Sequence, residues 1–325
     1  MAAIFETKGL TVGYGNLRLF EDLDLQLNSS ELVCFMGPNG SGKSTLIRTL
    51  AGLQRPLAGV VPPKDEKLVA IVLTDRIQSH HMTVRELVAY GRYPYLGWDL
   101  SPTKDDQDKI ESAIALVRIE ALLDKKLNEL SDGQMQMAMI ARALAQDTPV
   151  LLLDEPTAHL DLNNRLEIMN LLRRLAREKK KSILLATHEL DLALQTADSV
   201  WLASGKKLKR GMPEDLVLDG SFDDVFQFKG YDLKTGKVQH EAWRNQQIKL
   251  IGEGPVFLWT KNALERNGFS VANDAPVVVE VRSRDWRSSN REFSSVKELV
   301  DFLIAELRTQ NPEPRTKTPE PRTQN

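Results

Sequence analysis

Eight residues restrict the fold of this chain more than any others. Gly37 to Ser44 read GPNGSGKS, which satisfies the pattern G-x-x-x-x-G-K-[ST] at every fixed position. The segment follows an apolar run, ELVCFMG, that predicts a strand, and it opens a helical pattern, SGKSTLIRTLAGL. Strand, glycine loop and helix in that order gather backbone N–H groups and the positive end of a helix dipole around one point, a site of phosphate size and charge. Lys43 then reaches the terminal phosphates and Ser44 can hold Mg²⁺. The alternative, a glycine-rich turn that binds nothing, is disfavoured by that strand-to-helix setting.

The surrounding pattern has the same character. Short apolar runs, KLVAIVL, PVLLLDE, SILLATH and SVWLASG, alternate with helical stretches such as TVRELVAYG, QDKIESAIALVRI, QMQMAMIARALA and LNNRLEIMNLLRRLAREKK. This predicts an α/β domain with a mostly parallel sheet, whose strands are apolar on consecutive residues because both faces are covered. The basic run REKKK reads as a solvated helix C-terminus complementing the dipole. The acidic pair in VLLLDEP, Asp154 and Glu155, falls at the C-terminal end of a predicted strand, where open α/β sheets bind ligands. Alone it could be a helix-entry cap. Beside a phosphate loop, Asp154 reads as the Mg²⁺ partner and Glu155 as the polariser of an attacking water.

The pattern changes after about Gly211. Residues 1–240 are taken as one nucleotide-binding domain, with a hairpin in YDLKTGKVQ turned at Thr235 and Gly236. Residues 246–308 read as a second, small α+β unit: strand QIKLIG, helix PVFLWTKNALERNG, strand PVVVEVRS, strand REFSS and helix VKELVDFLIAEL. GEGP within it is too short for a phosphate loop and reads as a turn. Residues 309–325, rich in proline and charge, are expected to be disordered.

The net charge of −2 in 325 residues argues against a nucleic acid held mainly by charge. The lone cysteine, Cys34, excludes an intrachain disulfide and reads as a small buried hydrophobe in a reducing compartment. No stretch has the length and apolarity of a membrane span, so a soluble chain is expected, with any membrane role passing through a partner. The adjacent His80 and His81 lack cysteines nearby and read as a polar loop.

LSDGQ, Leu130 to Gln134, is a helix entrance by its local chemistry, with Ser131 as cap and Gln134 bonding back. Together with the loop and the acidic pair, however, it is one of several ordered motifs by which the chain resembles the ATPase subunit of an ATP-binding cassette (ABC) transporter. LSDGQ is similar to the family signature, TAHLD (157–161) to its dimer-contacting loop, THE (187–189) to its switch histidine, and Tyr14 in VGYG to the aromatic that stacks on adenine.

The resemblance covers roughly the first 210 residues and implies a P-loop NTPase fold, an ABC ATPase domain with a helical subdomain. It places Gly37, Pro38, Asn39, Gly40, Ser41, Gly42, Lys43, Ser44 and Thr45 on the ATP phosphates and Tyr14 on the base. Glu155, His188 and Lys43 become catalytic, with His188 reading the γ-phosphate. Ser131, Gly133, Gln134 and Asp161 face an ATP held by a second copy, in an ATP-sandwich dimer. There Gly133 keeps the approach open while Asp132 turns its charge away. Tyr14 as turn packing and Asp161 as a simple helix cap are the plain alternatives.

The stretch MTVRELVAYGRYPYLG further resembles importers of iron-siderophores, haem and vitamin B12. That implies integral membrane permease subunits contacting Met82 to Gly97, indirect work with a substrate-binding protein, and a peripheral place on the cytoplasmic face of the inner membrane. Exporter service, a non-transport ATPase and a weakly hydrolysing regulator are the rival readings. The chain departs from the family at Thr74, where a glutamine that touches Mg²⁺ is usual. Thr74 could ligate the metal directly or through water, or Asp75 or Gln78 could replace it. The resemblance ends before the second unit, which reads equally as a regulatory or partner-binding domain and as an appendage that widens the dimer contact.

Overall fold

The computed structural model describes residues 3–310 except 63, 75–78, 80, 99, 239, 241 and 284. The chain divides into two compact units, Met1–Phe228 and Lys229–Asn325.

The first unit begins with short strands β1 (Ala3–Glu6), β2 (Lys8–Tyr14), β3 (Leu17–Leu23) and β4 (Gln26–Asn28), paired antiparallel as β1 with β4 and β2 with β3. Then come β5 (Leu32–Met36), helix α1 (Lys43–Leu50) and β6 (Ala58–Val60), which pairs with β2. Strand β7 (Val69–Val72) leads to three helices, α2 (Val84–Ala89), α3 (Lys104–Val117) and α4 (Asp132–Ala145), that pack on one another. The remaining elements are β8 (Val150–Asp154), α5 (Leu162–Glu178), β9 (Ser182–Ala186), α6 (Leu190–Thr196), β10 (Ser199–Ser204), β11 (Lys207–Gly211), α7 (Pro213–Leu218) and α8 (Ser221–Phe226).

Six strands form the central sheet in the order β11-β10-β5-β9-β8-β7, parallel except for the antiparallel edge pair β10–β11. Every residue of β5, β8 and β9 is buried, the reason their sequences are apolar without alternation. Helix α1 packs on β8 and β9, and α5 on β5 and β9, so both layers draw on the same strands. Burying each Leu or Val of such a strand is worth about 1.5–3 kcal/mol. The crossovers deliver the C-terminal ends of β5, β8 and β9 side by side, and the chemistry-bearing residues follow those ends.

Helix entrances in this unit are built from local side chains. Thr83 caps α2 and Thr103 caps α3, each in a reciprocal box with the acid three residues on. Ser131 caps α4 as its sequence implies: the Gln134 N–H donates to Ser131 Oγ and the Ser131 N–H to Gln134 Oε1. Between α2 and α3, Tyr90–Tyr95 forms a 3₁₀ turn from which Arg92 points inward. Its Nε donates to Asp106 Oδ1 at 2.8 Å and its Nη1 to the carbonyl of Ala145 at the end of α4.

The second unit opens with a small hairpin, β12 (Tyr231–Asp232) and β13 (Lys237–Val238), whose turn is held by Asp232 accepting from the Lys234 N–H and Thr235 Oγ1. It continues through β14 (Gln247–Ile251), α9 (Gly254–Arg266), β15 (Ser270–Val271), β16 (Val277–Val281), β17 (Trp286–Ser288), β18 (Arg291–Phe293) and α10 (Val296–Gln310). The five-stranded sheet runs β15-β14-β16-β17-β18. Ile248, Val279, Trp286 and Phe293 of the sheet pack with Leu264 of α9 and Leu299 and Leu303 of α10 in one core. GEGP turns out of β14 at Gly252 and enters α9, with Glu253 at the helix N-cap and Gly254 and Pro255 already in its first turn. Strands β1–β4, β6 and β17 are additions to the sequence reading. They are short; β2–β3 and β17–β18 close as local hairpins, whereas β1 pairs with β4 and β2 with β6 across intervening chain.

Candidate active site

Strand β5 ends at Met36 and the chain turns through residues 37–42 before α1 begins at Lys43. Gly40 and Gly42 take left-handed backbone conformations, φ +78° and +96°, which a side chain would strain. At Gly37 the constraint is space: a Cβ there would lie 2.6 Å from Ala203 Cβ. The loop is closed by Ser41 N–H donating to Pro38 O, and Leu46 N–H donating to Gly42 O carries it into the helix. Ser41 Oγ is buried in it with no hydrogen-bond partner among the described residues, a polar atom left over for a ligand.

Lys43 is buried and donates through Nζ to the carbonyls of Gly37 (2.9 Å) and Pro38 (3.1 Å). Burial pushes its ammonium pKa down, while Glu155 and Asp154 pull the other way. Ser44 Oγ donates to Asp154 Oδ1 at 3.0 Å. Asp154, 2% exposed, ends β8; burial raises its pKa, the Ser44 bond lowers it and the neighbouring Glu155 raises it. A hydroxyl and a carboxylate oxygen in contact are the hard donors Mg²⁺ prefers, so the residues present fit that ion.

The next residue, Glu155, sits at φ +49°, a conformation rare for a side-chain-bearing residue, and is held there by its N–H donating to Ala186 O. His188 follows β9, with Nδ1 3.5 Å from Glu155 Oε2 and Nε2 3.5 Å from Glu189 Oε1. The Glu189 N–H is held by Thr187 Oγ1. Thr74, two residues beyond β7, donates from Oγ1 to the carbonyl of Asp154 at 2.8 Å. Asp75, Gln78 and His80 lie outside the described residues. Tyr14 is half exposed, its hydroxyl 3.1 Å from Thr45 Oγ1. The structure thus brings Tyr14, the loop 37–45, Thr74, Asp154, Glu155 and His188 into one connected set.

The residues of LSDGQ and TAHLD form a second set. Asp161 caps α5 by accepting from the Asn164 N–H, and Asn164 Nδ2 also donates to Asp161 Oδ2. The same Asn164 side chain covers Gly133: a Cβ on that glycine would stand 2.9 Å from Nδ2. Gly133 therefore has an intrachain reason to be glycine that the sequence reading did not see.

Arg165 and Glu189 join this neighbourhood through an ion pair that the sequence motifs do not specify. Arg165 Nη1 donates to Glu189 Oε2 at 2.7 Å and Nε to the Leu160 carbonyl at 2.6 Å. A signal existed, since a cation in the first turn of a helix opposes the dipole and needs a partner.

Fold and site together define a P-loop nucleoside triphosphatase of the cassette type. Residues 20–158 match the ABC transporter family and residues 245–304 the iron ABC transporter C-terminal domain. An uncharacterized ABC transporter ATP-binding protein of Methanocaldococcus jannaschii is 42% identical over 82% of this chain and 98% of its own length. A probable siderophore transport system ATP-binding protein of Bacillus subtilis is 36% identical over 70% of this chain and 86% of its own. A metal-chelate type ABC transporter solved in an inward-facing conformation superposes with a TM-score of 0.64 at 26% identity, covering 70% of this chain and 90% of that one. The chain belongs to the ABC transporter family, as an ATP-binding subunit that hydrolyses ATP.

Proposed function

We propose that this protein is the motor of an importer that carries a metal chelate, with iron-siderophores the first class to test and haem and cobalamin next. The reading is supported by the match of residues 245–304 to an iron-transporter domain and by the similarity to a siderophore-system subunit. It places the chain peripherally on the cytoplasmic face of the membrane, bound to separate permease subunits. Among the described residues no helix is long and apolar enough to cross a membrane.

The observation that carries the mechanism is the convergence of Ser44, Asp154, Glu155 and His188 within hydrogen-bond or near-contact distance. The glycine loop, with Ser41 Oγ unpartnered, cradles the phosphates, and Lys43 turns its ammonium from the loop carbonyls to them. Ser44 and Asp154 would hold Mg²⁺, which supplies charge neutralisation for phosphoryl transfer. Thr74 gives its proton to the Asp154 carbonyl and keeps its lone pairs for a cation, directly or through water. Glu155 orients the attacking water and His188 meets the γ-phosphate. Tyr14 offers its exposed ring to the base.

The α4 entrance, with Ser131, Gly133 and Gln134, and the neighbouring Asp161 complete the site of a second copy. In this reading the permease docks along Met82 to Gly97, where Tyr90, Tyr93 and Pro94 line a cleft of about 290 Å³ together with Val69, Ile71 and Arg142.

The test is reconstitution with a many-helix permease pair in liposomes supplied with ferric siderophore. The wild-type chain should drive ATP-dependent iron uptake. The Glu155→Gln variant should bind ATP yet lose most turnover and all uptake. Full turnover in that variant would remove Glu155 from the mechanism, and hydrolysis without uptake of any iron-siderophore, haem or cobalamin would refute the cargo.

A further inference from the structure

The first turn of α5 carries a cation where the helix dipole disfavours one. Arg165 follows the cap residue Asp161 by four positions, and its guanidinium is spent in two directions. Nε donates to the carbonyl of Leu160, inside the loop that precedes the cap, and Nη1 donates to Glu189 Oε2. Both side chains of this ion pair are mostly shielded, Arg165 at 31% and Glu189 at 16% exposed. The other oxygen of Glu189 stands 3.5 Å from His188 Nε2, on the opposite side of the ring from Glu155.

The imidazole therefore lies between two carboxylates. A neutral imidazole has one N–H to give, so the two acids compete for it. An unpaired Glu189 would draw the ring away from Glu155 and add negative charge where a triphosphate arrives. A charge-assisted bond from a planar, permanently charged guanidinium weakens the claim of Glu189 on the ring.

We propose that Arg165 is a positioning residue for hydrolysis. It neutralises Glu189 so that His188 is free to pair with Glu155 and the γ-phosphate. It also fastens the 157–161 loop to the same assembly through the Leu160 carbonyl. The inference rests on the roles of His188 and Glu155 proposed above; Arg165 acts through Glu189.

The experiment is steady-state hydrolysis of Mg-ATP by the full chain, with binding of a fluorescent ATP analogue and the thermal midpoint measured in parallel. In Arg165→Ala, kcat should fall about tenfold while KM and analogue affinity stay within about twofold. Adding Glu189→Gln in that background should return kcat to within about threefold of wild type, because the unpaired charge is gone. Glu189→Gln alone, which leaves Arg165 on the loop, should keep at least about half of the wild-type kcat.

Wild-type kcat in Arg165→Ala would overturn the proposal. So would a loss that Glu189→Gln does not reverse, or a loss in Glu189→Gln alone as large as in Arg165→Ala. A wild-type chain that hydrolyses no ATP would instead strike the site assignment itself. Turnover by the wild type, none in Glu155→Gln and full rate in Arg165→Ala would leave the site standing and remove only Arg165 from it.

Discussion

Replacing Asp106 by alanine breaks the most enclosed ion pair among the described residues of the first unit. Arg92 and Asp106 have side chains each 4% exposed, joined at 2.8 Å, and Arg92 has its guanidinium carbon 3.8 Å from the centre of the Tyr95 ring. Asp106 also closes the cap of α3 by accepting from the Thr103 N–H and Oγ1. Removing one partner of a buried pair costs about 3–5 kcal/mol, because the other charge loses its close partner; here Arg92 keeps only the exposed Asp105, whose Oδ2 lies 3.8 Å from its Nη2. The lost capping bonds add about 1 kcal/mol, so the first unit should lose about 4–6 kcal/mol against urea, followed by circular dichroism on the full chain.

Arg92→Met combined with Asp106→Ala removes both charges and should recover most of the loss, within about 2 kcal/mol of wild type. The bonds from Thr103, the largest contribution, and those from Arg92 hold the Asp106 carboxyl below the ordinary Asp value. Its stabilising effect is therefore complete above the unfolded pKa and fades as pH falls through the lower folded one. A single variant that loses under about 1 kcal/mol, or a double variant as unstable as the single, would refute the reasoning.

Two further outcomes follow from the site and the core. Lys43→Ala should weaken ATP binding at least tenfold in equilibrium titration, since a charge-assisted contact to phosphate is lost, and unchanged affinity would count against the loop assignment. The Cys34 thiol is fully buried and pushed up to about 12 by burial, with Asp198 adding to the shift. It should resist a thiol-specific disulfide reagent at pH 8 in the folded chain and react at once in denaturant; fast labelling of the native protein would contradict its burial.

The nucleotide chemistry was legible because its residues are neighbours in sequence or sit next to unmistakable strands. Glycines with positive φ, a lysine and a serine at one spacing specify an anion loop, and DEP after VLLL specifies a strand end. The α4 cap was equally plain, since Ser131 and Gln134 find each other within one turn. Short N-terminal strands were not legible, because β1 pairs with β4 and β2 with β6 across intervening chain.

What one dimension determined here was the set of groups: which backbone could bind phosphate, which acids end strands, which faces must be buried. What only the tertiary structure decided was who holds whom. Thr74, expected as a metal ligand, is found donating to the Asp154 carbonyl from the adjacent strand. Gly133 is covered by Asn164, and Arg165 reaches Glu189 from another helix. Each of those partners is brought close by parallel crossovers and helix packing over separations from 24 to 80 residues. Hydrogen bonds act over about 3 Å, so only the folded geometry selects them from the many pairings the sequence permits.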